Sequence, residues 1–412
     1  MTPVRDLLVR KGWTLSRRPG PGPMTFVVSD KSGVFCELIL EAGEAAGASA
    51  SVMPAFRLRL RSLRKLDQAS RAGLAELSSG LCQFLDSRRP KAGKEILART
   101  EAHEGYQGFD LLLRTTLACN QRCAFCCVPP SRGRITRESL EAELDVLARR
   151  LGPKDALTVS GGEPLVDPRL PELLASARAR GIRRFVLQTN AVGLDKPGAV
   201  ERLVRLGVKH FFVSFHSHQP KVYDRITGSR GLFPKAVKAL KRLLSGSGYG
   251  VTCNVVVNAW NHRALADHMR FLSRLARSCK GRAKGSLEVY FSMINGVGLA
   301  KAPETGVDLA RAAPFIQEAV AVCEDEGLKV QPFAAEAALP LCLLERPSRY
   351  AAHRALGQDR VSYVEEDPSG PRLSGVIGRV KRLSCRECCF DSRCLGVPVE
   401  YARLFGLSGL EP

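Results

Sequence analysis

Three cysteines spaced C-x3-C-x2-C, Cys119, Cys123 and Cys126, follow directly on the apolar run that starts at Phe109 and ends at Leu117. Thiolates at that spacing can hold three irons of a four-iron four-sulfur cluster and leave the fourth iron without a protein ligand, open for chemistry. The same thiols could form a zinc knuckle or a disulfide, and the spacing alone does not choose among these. A second group lies downstream, where Cys385, Cys388 and Cys394 make C-x2-C-x5-C and Cys342 stands upstream of them. Four thiolates can close either an iron–sulfur cluster or a zinc site. Cys127 and Cys389 each adjoin a proposed ligand and read as spare; Cys36, Cys82, Cys253, Cys279 and Cys323 read as small buried apolar residues.

Leu157-Thr-Val-Ser160 reads as a short buried strand that runs into Gly161-Gly162-Glu163-Pro164. The two glycines let the backbone approach a ligand, Glu163 can receive an ammonium group, and Pro164 stiffens the exit. Taken with the cysteine loop, this strand end resembles the radical S-adenosylmethionine (SAM) superfamily, over the chain from about residue 109 to the end. The resemblance implies that Cys119, Cys123 and Cys126 hold the SAM-binding 4Fe-4S cluster and that Phe125 lies against the cofactor. It implies that Gly161, Gly162, Glu163 and Pro164 hold the methionine amino group. It also implies contacts from strand-end polar residues to SAM, here Asn190, Ser214 and Asn258, although each reads equally well as a turn former or a cap. His216 stands where related peptide-modifying enzymes often carry aspartate, and Asp224-Arg-Ile-Thr-Gly228 with Gly231-Leu-Phe233 resembles the same segment; His216 itself reads as a structural histidine ahead of a proton donor.

The C-terminal cysteines resemble the auxiliary-cluster (SPASM/twitch-like) extensions of radical SAM peptide maturases. The longer extensions carry a further cysteine where this chain has Pro398, so one auxiliary cluster is expected rather than two. A structural zinc ribbon is the alternative. No catalytic residue beyond these ligands is singled out.

The elements that must position these groups follow from hydrophobic periodicity. The fold class expected is α/β, a partial (β/α)6 barrel with a small N-terminal α+β domain and a C-terminal cysteine-rich extension. The domains expected are 1–100, 101–330 and 331–412. Barrel strands are expected at 109–117, 157–160, 184–188, 211–215, 251–257 and 287–292. Helices between them are expected near 136–151, 170–180, 199–206, 234–244 and 263–278, with Thr136 as an N-cap and Gly152 after the first helix's end. The N-terminal part reads as a helix over 4–9, strands at 25–28, 34–40 and 55–60, a helix over about 68–85 and a linker at 87–94. In that part Arg57, Arg59 and Arg61 alternate with Phe56, Leu58 and Leu60.

Composition bounds the function. With 45% hydrophobic and 25% charged residues the 412-residue chain is of ordinary globular make-up, so its 14 cysteines are not needed as staples. Their grouping suits metal binding in a reducing compartment, and with no membrane span or signal segment in view the expected location is the cytoplasm. The formal charge of +21 suits an anionic partner, but the basic residues are spread along the whole chain. The function expected is reductive cleavage of SAM to a 5′-deoxyadenosyl radical that takes a hydrogen from a peptide or protein substrate, with an electron donor such as flavodoxin or ferredoxin. Modification of RNA is the second enzymatic reading. A non-catalytic zinc-binding interaction protein is the rival of another class, and it has no use for the G-G-E-P strand end.

Overall fold

A computed structural model describes residues 11–17, 24–30, 33–42, 56–62, 95–96, 100–103, 110–127, 134–152, 155–279, 287–294, 303–333, 338–351, 361–365, 372–374 and 379–410. The chain forms two compact units. One comprises Met1–Gly93, Arg360–Glu365 and Arg372–Gly378; the other comprises Lys94–Asp359, Glu366–Pro371 and Arg379–Pro412. Both cysteine groups lie in the second unit.

The first unit carries an antiparallel sheet of β1 (Thr14–Arg17), β2 (Met24–Asp30), β3 (Gly33–Ala42) and β4 (Phe56–Ser62), neighbours in chain order. β1 is an addition to the three strands expected there. The register sets Glu41 opposite Arg57, Ile39 opposite Arg59 and Glu37 opposite Arg61, so the arginine row faces two acidic positions across the ladder. The helices expected at 4–9 and 68–85 and the linker at 87–94 lie outside the described residues.

In the second unit, a short parallel pair joins β5 (Glu95–Ile96) to β8 (Arg134–Ile135). The main sheet contains β6 (Thr100–His103), β7 (Asp110–Arg114), β9 (Leu157–Ser160), β10 (Phe185–Thr189), β11 (Val208–Ser214), β12 (Gly250–Val257), β13 (Leu287–Met293) and β14 (Lys329–Val330). Its order is β14-β13-β12-β11-β10-β9-β7-β6. The seven strands from β7 to β14 run parallel, and β6 pairs antiparallel on the outer edge of β7. All six expected barrel strands are present; the two short edge strands β6 and β14 are additions, and a partial barrel with helical crossovers is the result.

The crossover helices are α1 (Arg137–Arg150), α2 (Leu170–Ala179), α3 (Ala199–Arg205), α4 (Pro220–Thr227), α5 (Phe233–Ser245) and α6 (Leu265–Ser278). Leu140, Leu144 and Leu147 recur on one face of α1 and are fully buried, as the apolar spacing demands. They meet a sheet whose buried side chains include Leu113, Val159 and Leu187. Each such leucine contributes about 1.5–3 kcal/mol relative to an exposed position. Thr136 caps α1 by accepting from the Ser139 N–H at 3.1 Å. Gly152 does not take a left-handed turn; its N–H goes to the Asp155 carboxylate at 2.7 Å. Among the helices not expected are α4 and α7 (Leu309–Glu326), which runs through Pro314. Beyond α7 come α8 (Pro347–Tyr350), the hairpin β15 (Val361–Glu365) and β16 (Arg372–Ser374) of the first unit, the pair β17 (Arg379–Arg382) and β18 (Val397–Pro398), and α9 (Val399–Phe405). Among the described residues, no helix is long and apolar enough to cross a membrane.

Candidate functional site

The cysteine loop leaves the C-terminal end of β7, the edge where parallel α/β sheets gather ligands. Backbone bonds clamp it on two sides. Toward β9, the Thr115 N–H donates to Ser160 O at 2.9 Å, Gly162 N–H to Thr116 O at 2.6 Å, and Glu163 N–H to Ala118 O at 2.9 Å. Toward the end of α4, Arg122 N–H donates to Thr227 O at 2.8 Å and Ala124 N–H to Ile226 O at 2.9 Å. Three glycines make these approaches possible. A Cβ on Gly161 would stand 2.4 Å from Thr116 O, one on Gly162 2.3 Å from Ala118 O, and one on Gly228 2.4 Å from Arg122 O. Gly161 and Gly162 therefore admit the cysteine loop's own backbone, a closer partner than the ligand anticipated from sequence. Arg169 braces the base of the loop, binding Asp167 through both carboxylate oxygens at 2.9 Å and donating to Thr115 O at 3.1 Å and Ile135 O at 2.8 Å.

Cys119, Cys123 and Cys126 are half-buried on this loop, while Cys127 is exposed. Desolvation raises the Cys119 and Cys123 thiols, and Cys123 is raised further by the neighbouring Cys126 and Cys119. Burial thus favours the thiol form, and a bound metal would take these groups as thiolates. The Gln121 N–H donates to Cys119 Sγ at 3.4 Å, a contact that favours the thiolate.

Glu163 is 1% exposed. Its carboxylate accepts from Leu165 N at 3.0 Å, from the Thr189 hydroxyl at 2.6 Å and from Asn190 N at 2.7 Å, tying the end of β9 to the end of β10. Burial raises its carboxyl despite these donors. Two carboxylate oxygens offer about four acceptor positions, so one remains for a further donor. Pro164 is buried in the turn that follows. Asn190 continues the link, donating through its amide to Asn120 Oδ1 in the cysteine loop at 2.6 Å and accepting from Val192 N at 3.1 Å. The Thr189–Ala191 turn puts Ala191 in the left-handed region at φ 62°, the only non-glycine residue so placed among the described residues.

Phe125 meets His216 edge-to-face, with ring centroids 5.0 Å apart. His216 Nδ1 accepts from Val256 N at 3.2 Å, and burial lowers the imidazole to about 3. His216 is thus a neutral ring at neutral pH, held as a structural wall for Phe125. Ser214 is half-buried at the end of β11. Asn258 is fully buried, and its groups serve a turn: its side chain donates to Val256 O at 2.9 Å and accepts from Trp260 N at 3.0 Å. The structure accordingly brings together the cysteine loop, Phe125, residues 161–164, Asn190 and His216, with Asn258 accounted for as a turn former.

Residues 113–272, which carry both motifs and the clamp between them, match the sequence model of the radical SAM superfamily. This segment is a radical SAM domain. Curated relatives include the PqqA peptide cyclase of Granulibacter bethesdensis, 32% identical over 156 residues that make up 37% of this chain and 40% of that protein. The PqqA peptide cyclase of Gluconobacter oxydans is 31% identical over 191 residues, 46% of this chain and 51% of its own length. The chain thus spans about half or less of the relatives it matches. Among solved structures, native anSMEcpe with bound AdoMet and Cp18Cys peptide is 13% identical at a TM-score of 0.45, covering 73% of this chain and 91% of that one. Streptococcus suis SuiB bound to the precursor peptide SuiA is 14% identical at a TM-score of 0.42, covering 63% and 53%.

Radical SAM domains use a 4Fe-4S cluster and SAM, and the donor set here fits that cluster: three grouped thiols on a clamped loop, which would leave a fourth iron without a protein ligand. Outside the matched segment, the second cysteine group is assembled from two stretches of chain. The Cys342 thiol is raised by local desolvation and then by Cys394, Cys385 and Cys388, although the residue as a whole is exposed. Phe390 N–H donates to Cys388 Sγ and Gly396 N–H to Cys394 Sγ, both at 3.4 Å, the i+2 pattern also seen at Cys119. Two buried cations brace it. Lys381 Nζ donates to Asp391 O at 2.5 Å and to its carboxylate at 2.6 Å, and the Arg379 guanidinium reaches Leu395 O, Gly396 O and Ala338 O. Among the described residues, no three His, Cys, Asp or Glu side chains converge tightly enough to hold a single metal ion. Cys389 is exposed, Cys253 and Cys323 are buried, and Cys279 is half-buried with its thiol donating to Leu275 O at 3.2 Å, a correction to the buried position expected; the burial of Cys36 and Cys82 lies outside the described residues.

Proposed function

We propose that this protein is a radical SAM enzyme that modifies a peptide or protein substrate. The observation that carries the reading is the three-thiol loop locked against the Gly161–Glu163 strand end. A 4Fe-4S cluster with one open iron, when bound at Cys119, Cys123 and Cys126, supplies the electron that splits SAM and so provides a radical for hydrogen abstraction. The chain's own residues supply the holding and the seclusion. Glu163, fixed by three donors, has one acceptor position for the methionine ammonium, with Gly161, Gly162 and Pro164 setting the backbone beside it. Asn190 and Ser214, at the neighbouring strand ends, are the polar groups for the rest of SAM, Phe125 is the apolar surface, and Asn258 holds the turn that closes the far strand end. Cys342, Cys385, Cys388 and Cys394 hold one auxiliary cluster, which with all four sites filled by protein serves electron transfer or order.

The peptide substrate is supported by the similarity to PqqA peptide cyclases and by the four-thiol group beyond the barrel. Residues 1 to about 95 are the substrate-binding part in this reading, since the cofactor machinery all lies beyond residue 108. A flavodoxin or ferredoxin serves as the electron donor, in the cytoplasm. RNA modification is the second reading, favoured by the net charge of +21.

Anaerobic reconstitution with iron counting and 5′-deoxyadenosine detection tests the core of the proposal. Wild type should bind about eight irons and cleave SAM, and the variant with Cys119, Cys123 and Cys126 all changed to alanine should keep about four and cleave none. Unchanged cleavage in that variant would end the proposal. Titration of the full chain with candidate peptides and with RNA then separates the two substrate readings.

A further inference from the structure

We propose that Gln121 and Tyr223 form a positioning pair that, once iron is bound, turns an amide N–H onto the Cys123 sulfur, so that one residue hydrogen-bonds two of the three cluster thiolates. This rests on the radical SAM reading of the loop.

Gln121 and Tyr223 lie 102 positions apart in the chain, and both are buried. Gln121 Nε2 donates to the Tyr223 hydroxyl at 2.8 Å, which gives the buried phenol the partner it needs. The other end of the same amide, Oε1, faces Cys123 Sγ at 3.8 Å and accepts from the thiol hydrogen. The backbone N–H of Gln121 already points at Cys119 Sγ. Gln121 therefore touches two of the three proposed ligands and sits between them.

The arrangement suits the thiol form and must change when iron binds. Iron takes the thiolate, which has no hydrogen to give and only accepts. The carbonyl end of Gln121 would then face a negative sulfur. A half-turn of the amide exchanges its ends: Nε2 donates to Cys123 Sγ, and Oε1 accepts from the Tyr223 hydroxyl. Both bonds survive because a tyrosine hydroxyl donates as readily as it accepts. Phenylalanine at 223 could anchor neither state, and leucine at 121 could donate to neither partner.

The pair cannot drift apart. Tyr223 is packed against Phe215 and Phe233, each with ring centroids 5.5 Å away, and its helix α4 holds the cysteine loop by the bonds from Arg122 N to Thr227 O and from Ala124 N to Ile226 O. The pair thus fixes the donor against the sulfur. Hydrogen bonds to cluster sulfurs disperse their negative charge, which favours the reduced cluster and raises its potential.

The test compares the reconstituted full-length wild type with Gln121→Leu and Tyr223→Phe. It reads iron content, the midpoint potential of the cluster whose EPR signal responds to SAM, and the melting of the iron-free chain. Both variants should shift the potential to more negative values, Gln121→Leu further than Tyr223→Phe, with the auxiliary cluster's signal unmoved. Lowered melting with an unchanged potential in iron-loaded variants would mean packing alone and would overturn the inference. If Gln121→Leu takes up no iron, Tyr223→Phe decides by the same criterion, since it removes only a hydroxyl. A wild type without any SAM-responsive cluster overturns the radical SAM reading itself, and that result appears before any substitution is compared.

Discussion

The first cysteine group is held by backbone and the second by buried charge. Around Cys119, Cys123 and Cys126, main-chain bonds reach β9 on one side and the end of α4 on the other, and glycines admit the close approach. Around Cys385, Cys388 and Cys394, the support comes from Lys381, which donates to Asp391 O between the cysteines, and from Arg379, which donates to Leu395 O just after Cys394. The difference matches what the proposed function asks of each group. Three thiols leave a ligand position that must be kept open and accurately aimed, which suits a rigid clamp fixed to the sheet edge. Four thiols close their site on themselves, so a brace that holds the loop's shape is enough.

The largest effect should come from breaking the clamp. In Gly162→Ala the new methyl meets Ala118 O at 2.3 Å, which is far inside contact distance, so the strand end or the loop must move. The expected outcome is loss of SAM cleavage and of about four of about eight irons, with the second group still loaded. Gly396→Ala is the mirror experiment: at φ +67° its Cβ would meet Val380 O at 2.2 Å, and only the second group should lose iron. Iron loss at both sites in either variant would erase the distinction between the two supports.

Next in size is Lys381→Met. The lysine is 2% exposed and pairs with the half-buried Asp391 at 2.6 Å. Removing one partner of a buried pair costs about 3–5 kcal/mol, the lower end applying because Asp391 keeps some contact with water. Thermal melting should fall, and the second group's iron should go with it. Cleavage of SAM in the absence of substrate should persist.

Acid should act on the first region. His216 and His268 are lowered to about 3 by burial, against an ordinary value near 6.5. A histidine held neutral contributes stability that is present above 6.5 and is lost as the pH falls from there toward 3, at up to about 1.4 kcal/mol per pH unit for each ring. Glu163 has the opposite sign. Its raised carboxyl adds stability on the acid side that is lost as the pH rises from 4.5, so it offsets part of the slope in the lowest range. Denaturant unfolding from pH 7 to pH 5 should show the loss in wild type and a flatter profile in His268→Leu. Equal slopes in the two proteins would mean that the ring is already charged in the fold.

The sequence made the barrel strands legible because each is a short run with apolar residues at its buried positions, β9 being buried throughout, and it made α1 legible because Leu140, Leu144 and Leu147 repeat at the helical period. It hid α7, whose alanine-rich start and internal Pro314 blur both signals. The three proposed ligand thiols announced themselves by spacing, and Glu163 by the G-G-E-P strand end. What Gly161 and Gly162 approach could not be read that way, since a glycine reports that something comes close and not what it is. Gln121 was invisible for the same kind of reason: its partner Tyr223 stands on a distant helix, and only the fold joins them. Lys381 was not legible either, because lysines are rarely fully buried and its burial depends on Asp391, whose carbonyl receives it.

The smallest effect separates neighbouring cysteines. Cys127 follows Cys126, and Cys389 follows Cys388, and the second member of each pair reads from sequence as spare. The structure distinguishes them by what their sulfurs meet. Cys123 is raised by Cys126 and Cys119, and Cys342 by Cys394, Cys385 and Cys388. Phe390 N–H, moreover, donates to Cys388 Sγ, as a ligating thiolate requires, and both Cys127 and Cys389 are exposed. Cys127→Ser and Cys389→Ser should therefore keep the full iron content and unchanged melting, since exposed polar swaps move stability by no more than about 0.5 kcal/mol. Iron counting on the two single variants decides it. Loss of about four irons from Cys389→Ser would transfer the ligand role from Cys388 to that residue and change the second group's spacing to C-x3-C-x4-C, and the same loss from Cys127→Ser would make the first group C-x3-C-x3-C.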